Sequence, residues 1–381
     1  MKKRSAGIFA ILLLFLAIIF GVDPFGLLAN DAPEVITVTP IVSEVVVVPQ
    51  PSDNITTVIV KPADWYQIFF TDPTCPPEEE RVGGIDEEVA AGIAAAQTSV
   101  DVAAFDLESP AIVNALIDLE KQGIPVRVVT DTDNATLSSI NRLRRNGISV
   151  VEDNRSALMH NKFVIIDERY VWIGSMNLAS NDVYCHNNNF VQFDLPLLAA
   201  NYTAEMDEMY IDRSFGPTSP DDTPHEQITQ AGVRLENYFA SEKKAATIMA
   251  EAINRAQSEI LFMAFSFTND EIGEAMLAQA EAGVTVRGVF ETVGADTEYS
   301  YFPVMREAGL PSLEVRLDGN SYMMHHKVII LDRETVIFGS FNFSDSANRQ
   351  NDENIVIIHD AAFAAYFVEE FEAVWAEAKT P

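Results

Sequence analysis

Cysteine is nearly absent from this 381-residue chain: Cys75 and Cys185 are the whole complement. Neither has a CxxC partner, which excludes a cysteine-built metal site and a disulfide-scaffold protein. An oxidising compartment could join the two, but spacing in sequence does not place them within bridging distance. Basic residues are scarce: 25 Lys and Arg stand against 57 Asp and Glu, a formal net charge of −32. Such a surface repels polyanions, and non-specific nucleic-acid binding draws its affinity from Lys and Arg on phosphates. Only a local basic pocket remains open to an anionic ligand. Long apolar runs are missing except at the start. There Lys2, Lys3 and Arg4 precede an uncharged stretch over residues 7–22, closed by Asp23-Pro24. Its apolar heart is close to the ~7–15 residues of a secretory signal and short of the ~20 of a membrane span. Leu27-Leu28-Ala29 ends in a small residue without forming A-x-A, and no Cys follows closely enough for a lipid anchor. Residues 1–30 are therefore expected to be a signal peptide or signal anchor. The protein is expected to be exported, secreted or membrane-anchored, and extracytoplasmic.

What the chain does have is apolar content for a sizeable core, 48% of residues. At ~150 residues per domain its length suits two domains or one large duplication. Residues 31–62 are rich in Val, Thr, Ile and Pro and read as an extended linker or one added strand, and residues 72–81 (DPTCPPEEER) form a loop; residues 31–82 are thus an extended linker or N-terminal extension. From there helical and strand periods alternate, as in α/β proteins. They do so twice. Residues 90–97, 100–105, 112–121 and 126–130 read helix, strand, helix, strand; residues 246–256, 260–265, 272–282 and 284–290 repeat the order. GIPVRVVTD (123–131) and GVTVRGVFE (283–291) align without gaps. Residues 214–232, with three prolines and two glycines, read as a linker. This gives a first half at 83–213 and a second at 233–381, each a largely parallel or mixed sheet with helices on its faces.

Each half ends in one block. His160-Asn161-Lys162 runs through Asp167 to Gly174-Ser175-Met176-Asn177; His325-His326-Lys327 runs through Asp332 to Gly339-Ser340-Phe341-Asn342. Both fit HxKx4Dx6GSxN, six residue types at fixed spacing over 18 positions. The apolar β-branched run after HxK is a strand, so His and Lys share one face. His326, in the x position, points the other way. Asp167 and Asp332 fall at the strand ends, where Asp bonds backbone N–H groups of turns; they are expected to position rather than to carry protons. Gly lets backbone approach a ligand closely. Imidazole, ammonium and neutral Ser and Asn donors together suit a phosphate. Two such sets supply two imidazoles, one to attack phosphorus and one to protonate the leaving oxygen.

These paired blocks resemble the phospholipase D superfamily, whose signature is a duplicated HKD motif. The resemblance spans roughly residues 83–375. It implies two pseudo-twofold-related α/β/α sandwich halves sharing one central active site. It implies phosphodiester hydrolysis through a covalent phosphohistidine, with no metal and no other cofactor. His160 and His325 become nucleophile and general acid, His160 being the family's usual nucleophile. Lys162, Lys327, Asn177 and Asn342 bind the phosphate, and Ser175 and Ser340 line the pocket. Glu353, 28 residues past His325, resembles the family's His-orienting acid. Its equivalent in the first half is Asn188, so Glu353 is expected on His325 and His160 is expected to lack a carboxylate.

Three substrates compete for such a site. An exported, acidic protein favours a phospholipid at a membrane surface, giving phosphatidic acid and a head-group alcohol. A secreted, metal-independent endonuclease is the alternative, disfavoured by bulk charge. A cardiolipin synthase-like phosphatidyltransferase is the third. No protein partner is implied. A binding protein with a dead site is argued against by the intact His and Lys of both blocks. His186, His225 and His359 read as lone loop histidines, Phe265 and Phe267 as core, and Glu78-Glu79-Glu80 as a solvated loop. No His/Asp/Glu cluster with metal-ligand spacing stands out.

Overall fold

The computed structural model describes residues 57–380. The expected signal segment at 1–30 and residues 31–56 of the extension lie outside the described residues. The first half contributes strands β1 (Thr57–Ala63), β2 (Tyr66–Thr71), β3 (Val100–Ala104), β4 (Val126–Thr130), β5 (Ser149–Glu152), β6 (Lys162–Ile166), β7 (Tyr170–Gly174), β8 (His186–Asn187) and β9 (Asn189–Asp194). The second contributes β10 (Gln227–Gln230), β11 (Val233–Ala240), β12 (Glu259–Ala264), β13 (Thr285–Phe290), β14 (Leu313–Leu317), β15 (Met323–Met324), β16 (Lys327–Leu331), β17 (Thr335–Gly339) and β18 (Glu353–His359).

The duplication is visible strand for strand. One eight-stranded sheet runs β1-β2-β9-β7-β6-β3-β4-β5; the other runs β10-β11-β18-β17-β16-β12-β13-β14. In each, the strand–helix–strand crossovers make parallel pairs (β3 with β4, β12 with β13), and the hairpins make antiparallel ones. The crossover helices start and stop on local signals. Ser109 accepts from Ile112 N at the head of Pro110–Lys121, and Asn269 accepts from Ile272 N at the head of Asp270–Glu281. Gly123 and Gly283 end them with φ of 83° and 95°, a conformation in which a Cβ is strained.

Two boundaries differ from the sequence reading. Residues 66–71 are not extension but a sheet strand: β2 pairs antiparallel with β9 from Tyr66↔Phe193 to Phe70↔Asn189, and Ile68 and Phe69 are buried. Residues 227–230 are not linker but β10, paired with β11. Prolines and turn residues around both stretches masked strands whose partners lie more than a hundred residues away or in the next element.

Helices cover both faces of each sheet. Val89, Ile93, Leu116 and Leu143 pack the outer face of the first sheet; Met249, Ile272, Met276 and Phe302 pack that of the second. The inner faces share one core, filled by the helices Pro196–Asp207 and Ala361–Glu377. Tyr202 shows how the halves join: its ring lies 5.0 Å from Phe163 of β6 and 5.1 Å from Phe239 of β11, edge-on to both. Phe70 of β2 meets Phe367 of the last helix at 5.1 Å.

At the seam, backbone crosses reciprocally between halves. His160 N donates to Asp352 O (3.0 Å), and His325 N donates to Asn187 O (2.9 Å). β15 and β8 form a short parallel pair there. The segment entering each HxK strand is thus tied to the segment entering the last sheet strand of the other half.

Candidate active site

The seam brings the duplicated residues together. Lys162 and Lys327 open β6 and β16 and are almost wholly buried, as are His160 and His325. Each Lys donates to the carbonyl two residues back: Lys162 Nζ to His160 O at 2.8 Å, Lys327 Nζ to His325 O at 2.7 Å. Each lies over an aromatic ring, Phe105 at 5.4 Å and Phe265 at 4.8 Å. The same rings stand edge-on to His160 (5.2 Å) and His325 (4.7 Å). Phe265 is therefore a wall of the site rather than core packing; Phe267 is buried among Phe262, Phe290 and Phe343. Burial lowers the Lys162 ammonium to about 8 and Lys327 well below its ordinary value. Each ammonium has one carbonyl partner, and Glu353 and Asp182 act on both through space; a phosphate would add a direct anionic partner.

The His-orienting groups are crossed relative to expectation. Glu353 Oε2 lies 2.8 Å from His160 Nδ1, not on His325. His325 Nδ1 instead meets Asn188 Oδ1 at 3.0 Å, with Asp182 Oδ1 at 3.6 Å. Each His is served by the opposite half. Equal places in the two sequence copies suggested service within a copy; the reciprocal seam carries the start of β18 to His160 and the residue before β9 to His325. The Asn188 amide is oriented by its other bonds: Nδ2 donates to Asp182 O (2.9 Å) and Oδ1 accepts from Ser175 Oγ (2.8 Å). Oδ1 can only accept, so His325 carries its proton on Nδ1; the Glu353 carboxylate imposes the same tautomer on His160. Both Nε2 atoms are left for the ligand. Burial lowers both imidazoles. Both lysines lower both rings further; Glu353 opposes this at His160, whereas His325 has no carboxylate bond and is lowered further. His160 is thus the more basic of the two.

The GSxN residues divide their work differently from what the resemblance implied. Ser340 Oγ donates to Glu353 Oε2 (2.8 Å), as Ser175 does to Asn188; the serines hold the His-orienting groups instead of lining a pocket. The glycines serve strand contact rather than ligand approach. A Cβ on Gly174 would lie 2.2 Å from Asn189 O, and one on Gly339 2.3 Å from Asn354 O. Asn177 Nδ2 bonds Asp182 Oδ1 at 3.0 Å, while Oδ1 of Asn177 and of Asn342 have no hydrogen-bond partner among the described residues. Asp167 and Asp332 lie at the far ends of their strands. Asp167 accepts the N–H groups of Gln97, Thr98 and Ser99; Asp332 accepts those of Gln257, Ser258 and Glu259. Burial works to raise both carboxyls, but these donors outweigh it and hold them below the ordinary value. They tie the β6–β7 and β16–β17 turns to the strands beside them.

Several residues near the site escaped the sequence reading. Asp131 Oδ2 accepts from Met159 N (2.8 Å) and Glu291 Oε2 from Met324 N (2.6 Å), fixing the backbone just before each His. The signal was present, since these two carboxylates end the gapless GIPVRVVTD and GVTVRGVFE match. His186 is no lone loop histidine: its ring lies 6.5 Å from that of His325, with Asp182 at 3.6 Å. His359 bonds Glu236 at 2.7 Å, and His225 exchanges backbone bonds with Asn201. His326 points to the other face as expected, bonding Glu370 and Asn189. Beside the site a cleft of about 690 Å³ is walled by Glu78, Arg81, Glu87, Asp106, Glu108, Asp182 and His186. Burial raises the Asp106 carboxyl to about 6. Cys185, just before His186, is joined to Cys75. No helix among the described residues is long and apolar enough to cross a membrane.

Such a paired His/Lys seam between duplicated α/β/α halves defines a class. The family described as "Cardiolipin synthase, PLD-like domain" matches residues 89–210 and 249–375, more than half of the chain. The chain belongs to the phospholipase D superfamily. A mouse (Mus musculus) mitochondrial cardiolipin hydrolase is 32% identical over 129 residues, 34% of this chain and 57% of that protein. A Rickettsia bellii phospholipase D is 27% identical over 155 residues, 40% of this chain and 76% of that protein. The chain spans only about half the length of the cardiolipin hydrolases it matches. The phosphatidylserine synthase of Haemophilus influenzae Rd KW20 shares the fold, with a TM-score of 0.59 and 14% identity over 79% of this chain and 86% of that one.

Proposed function

We propose that the protein is an exported phospholipase D-type phosphodiesterase acting on a phospholipid at a membrane surface. His160 Nε2 attacks phosphorus, and the bond from phosphorus to the head-group oxygen breaks. His325 gives that oxygen its proton, and the head-group alcohol leaves. His325, now neutral, takes a proton from water. The water oxygen attacks phosphorus, the bond to His160 breaks, and phosphatidic acid is released. Glu353 supports His160 as nucleophile: it holds Nδ1–H, and it offsets the positive charge that the ring carries once phosphorylated. His325 Nδ1 bonds an amide, with the Asp182 carboxylate farther off at 3.6 Å. The phosphate anion between the two histidines supplies the charge that lets His325 hold a second proton.

The observation that carries the lipid reading is the acidic cleft beside the site, on a chain of net charge −32. A polynucleotide would have to lay further phosphates along Glu78, Glu87, Glu108 and Asp182 with Arg81 as the one Lys or Arg of the cleft, and it is such basic contacts that give polynucleotide binding its affinity. A lipid presents one phosphodiester. The test offers the purified protein phosphatidylcholine vesicles, cardiolipin vesicles and single-stranded DNA in parallel, each with and without EDTA. Release of head-group alcohol with intact DNA is the expected result; DNA cleavage with untouched lipid would replace this reading with the nuclease one.

A further inference from the structure

Away from the histidines, three glutamates converge. Glu205 lies near the end of the helix Pro196–Asp207, Glu208 begins the π-helical turn Glu208–Asp212, and Glu242 follows β11 of the second half. Each offers a carboxylate oxygen, and these atoms all lie within 4.8 Å of one another. Glu205 and Glu208 are only 2% and 6% exposed. Glu205 Oε1 accepts from Asn161 Nδ2 at 2.8 Å, but its Oε2, like Oε2 of Glu208 and of Glu242, meets no N–H donor among the described residues; the Glu205 and Glu242 carboxyls face each other, and Glu208 faces Asp222 and Ser219.

The other half shows what is missing here. His326 and Asn161 are the two x residues of HxK. His326 gives Glu370, on the last helix, an imidazole at 3.0 Å, whereas Asn161 gives Glu205 an uncharged amide. Among the described residues no Lys, Arg or His pairs with Glu205, Glu208 or Glu242. The neighbouring Lys243 is engaged by Asp221 and Glu226. Asp221, Asp222 and Asp352 add further negative charge. Buried carboxylates this close cannot stay ionised together without a counter-charge.

We propose that Glu205, Glu208 and Glu242 form a structural binding site for a divalent, oxygen-seeking cation of the calcium class, pinning the end of the first half to the entry of the second. Calcium takes carboxylate oxygens at ~2.3–2.6 Å in flexible geometry, which places ligand oxygens on one ion up to about 5 Å apart. The spread of this cluster fits that span. Three protein oxygens leave room for water, as expected of a site of modest affinity, with Kd of roughly 10⁻⁵–10⁻³ M.

The test uses the full chain, stripped with EDTA and exchanged into chelator-free buffer. Calorimetric titration with calcium chloride should show one ion per chain. The thermal midpoint should rise by about 5 °C at a hundredfold excess over Kd. Glu208→Gln and Glu242→Gln should each weaken calcium binding at least tenfold. Both should also remove most of the calcium-dependent rise in midpoint while leaving the midpoint in EDTA undiminished; a merely packed glutamate would not behave so. Absence of heat and of any midpoint shift with calcium, magnesium or manganese overturns the proposal. So does calcium binding of unchanged strength in both variants, which would put the ion elsewhere. Neither readout depends on the substrate.

Discussion

Glu353 Oε2 stands 2.8 Å from His160 Nδ1 across the seam between the two halves, and Asn188 Oδ1 stands in the matching place at His325. The pseudo-twofold arrangement therefore keeps its geometry and breaks its charge. One imidazole has an anion behind it and the other an amide, so the two can take unequal roles in one reaction.

In the proposed mechanism both histidines serve one reaction, so His160→Asn and His325→Asn should each reduce turnover by at least ~10²–10⁴-fold, with the circular dichroism spectrum unchanged. Quenching during turnover and mass spectrometry of the peptides should place the phosphatidyl adduct on the one containing His160. An adduct on the His325 peptide would exchange the roles.

Neutral imidazole is the attacking form, so the acid limb of kcat/KM follows His160. Glu353 raises its proton affinity against the lowering by burial and Lys162. Glu353→Gln removes that support, and the limb should move to lower pH while kcat drops ~10²-fold through loss of ring orientation. Asn188→Asp is the converse experiment. It adds a carboxylate at His325 and should raise that imidazole's proton affinity, seen by NMR titration of the ring. An acid limb that ignores both substitutions would detach Glu353 from the chemistry.

Burial holds Lys162 to about 8. Above that pH it loses its charge, and affinity for a phosphate analogue such as tungstate should fall between pH 8 and 10. Bound anion should in turn raise the Lys162 pKa, so the alkaline limb of kcat should lie above that of kcat/KM. Equal affinity at pH 7 and pH 10 would contradict this.

Cys75 and Cys185 close a loop of about a hundred residues around the first sheet. The denatured, unreduced protein should show no reactive thiol. Cys75→Ser/Cys185→Ser should lose ~2–4 kcal/mol in chemical unfolding. The larger functional effect should be on KM, because Cys185 adjoins His186 at the cleft. Two titratable thiols would mean the bond is not made.

Local chemistry made much of this molecule legible from its residues. Alternation along HxK followed by an apolar run put His and Lys on one face, and the gapless repeat announced two equivalent sheets. Asp167 and Asp332, odd-numbered from their histidines and at strand ends, could be separated from the reacting groups before any coordinates. Such features depend on neighbours a few residues away, so spacing encodes them.

Contacts across the seam are of another kind. The placement of Glu353 on His160, Ser175 and Ser340 as props for the orienting groups, and Phe265 as a wall depend on how one half rotates onto the other. Nothing in the spacing of either block says whether an acid serves its own copy or the opposite one. The same holds for Cys75 with Cys185, for β2 beside β9, and for Glu242 beside Glu205 and Glu208, all pairs brought together by the closing of long segments. The sequence by itself determined which groups recur in both blocks and which share a strand face; the tertiary structure decided which of them stand together, because only the packing of two duplicated sheets on one shared core sets those distances.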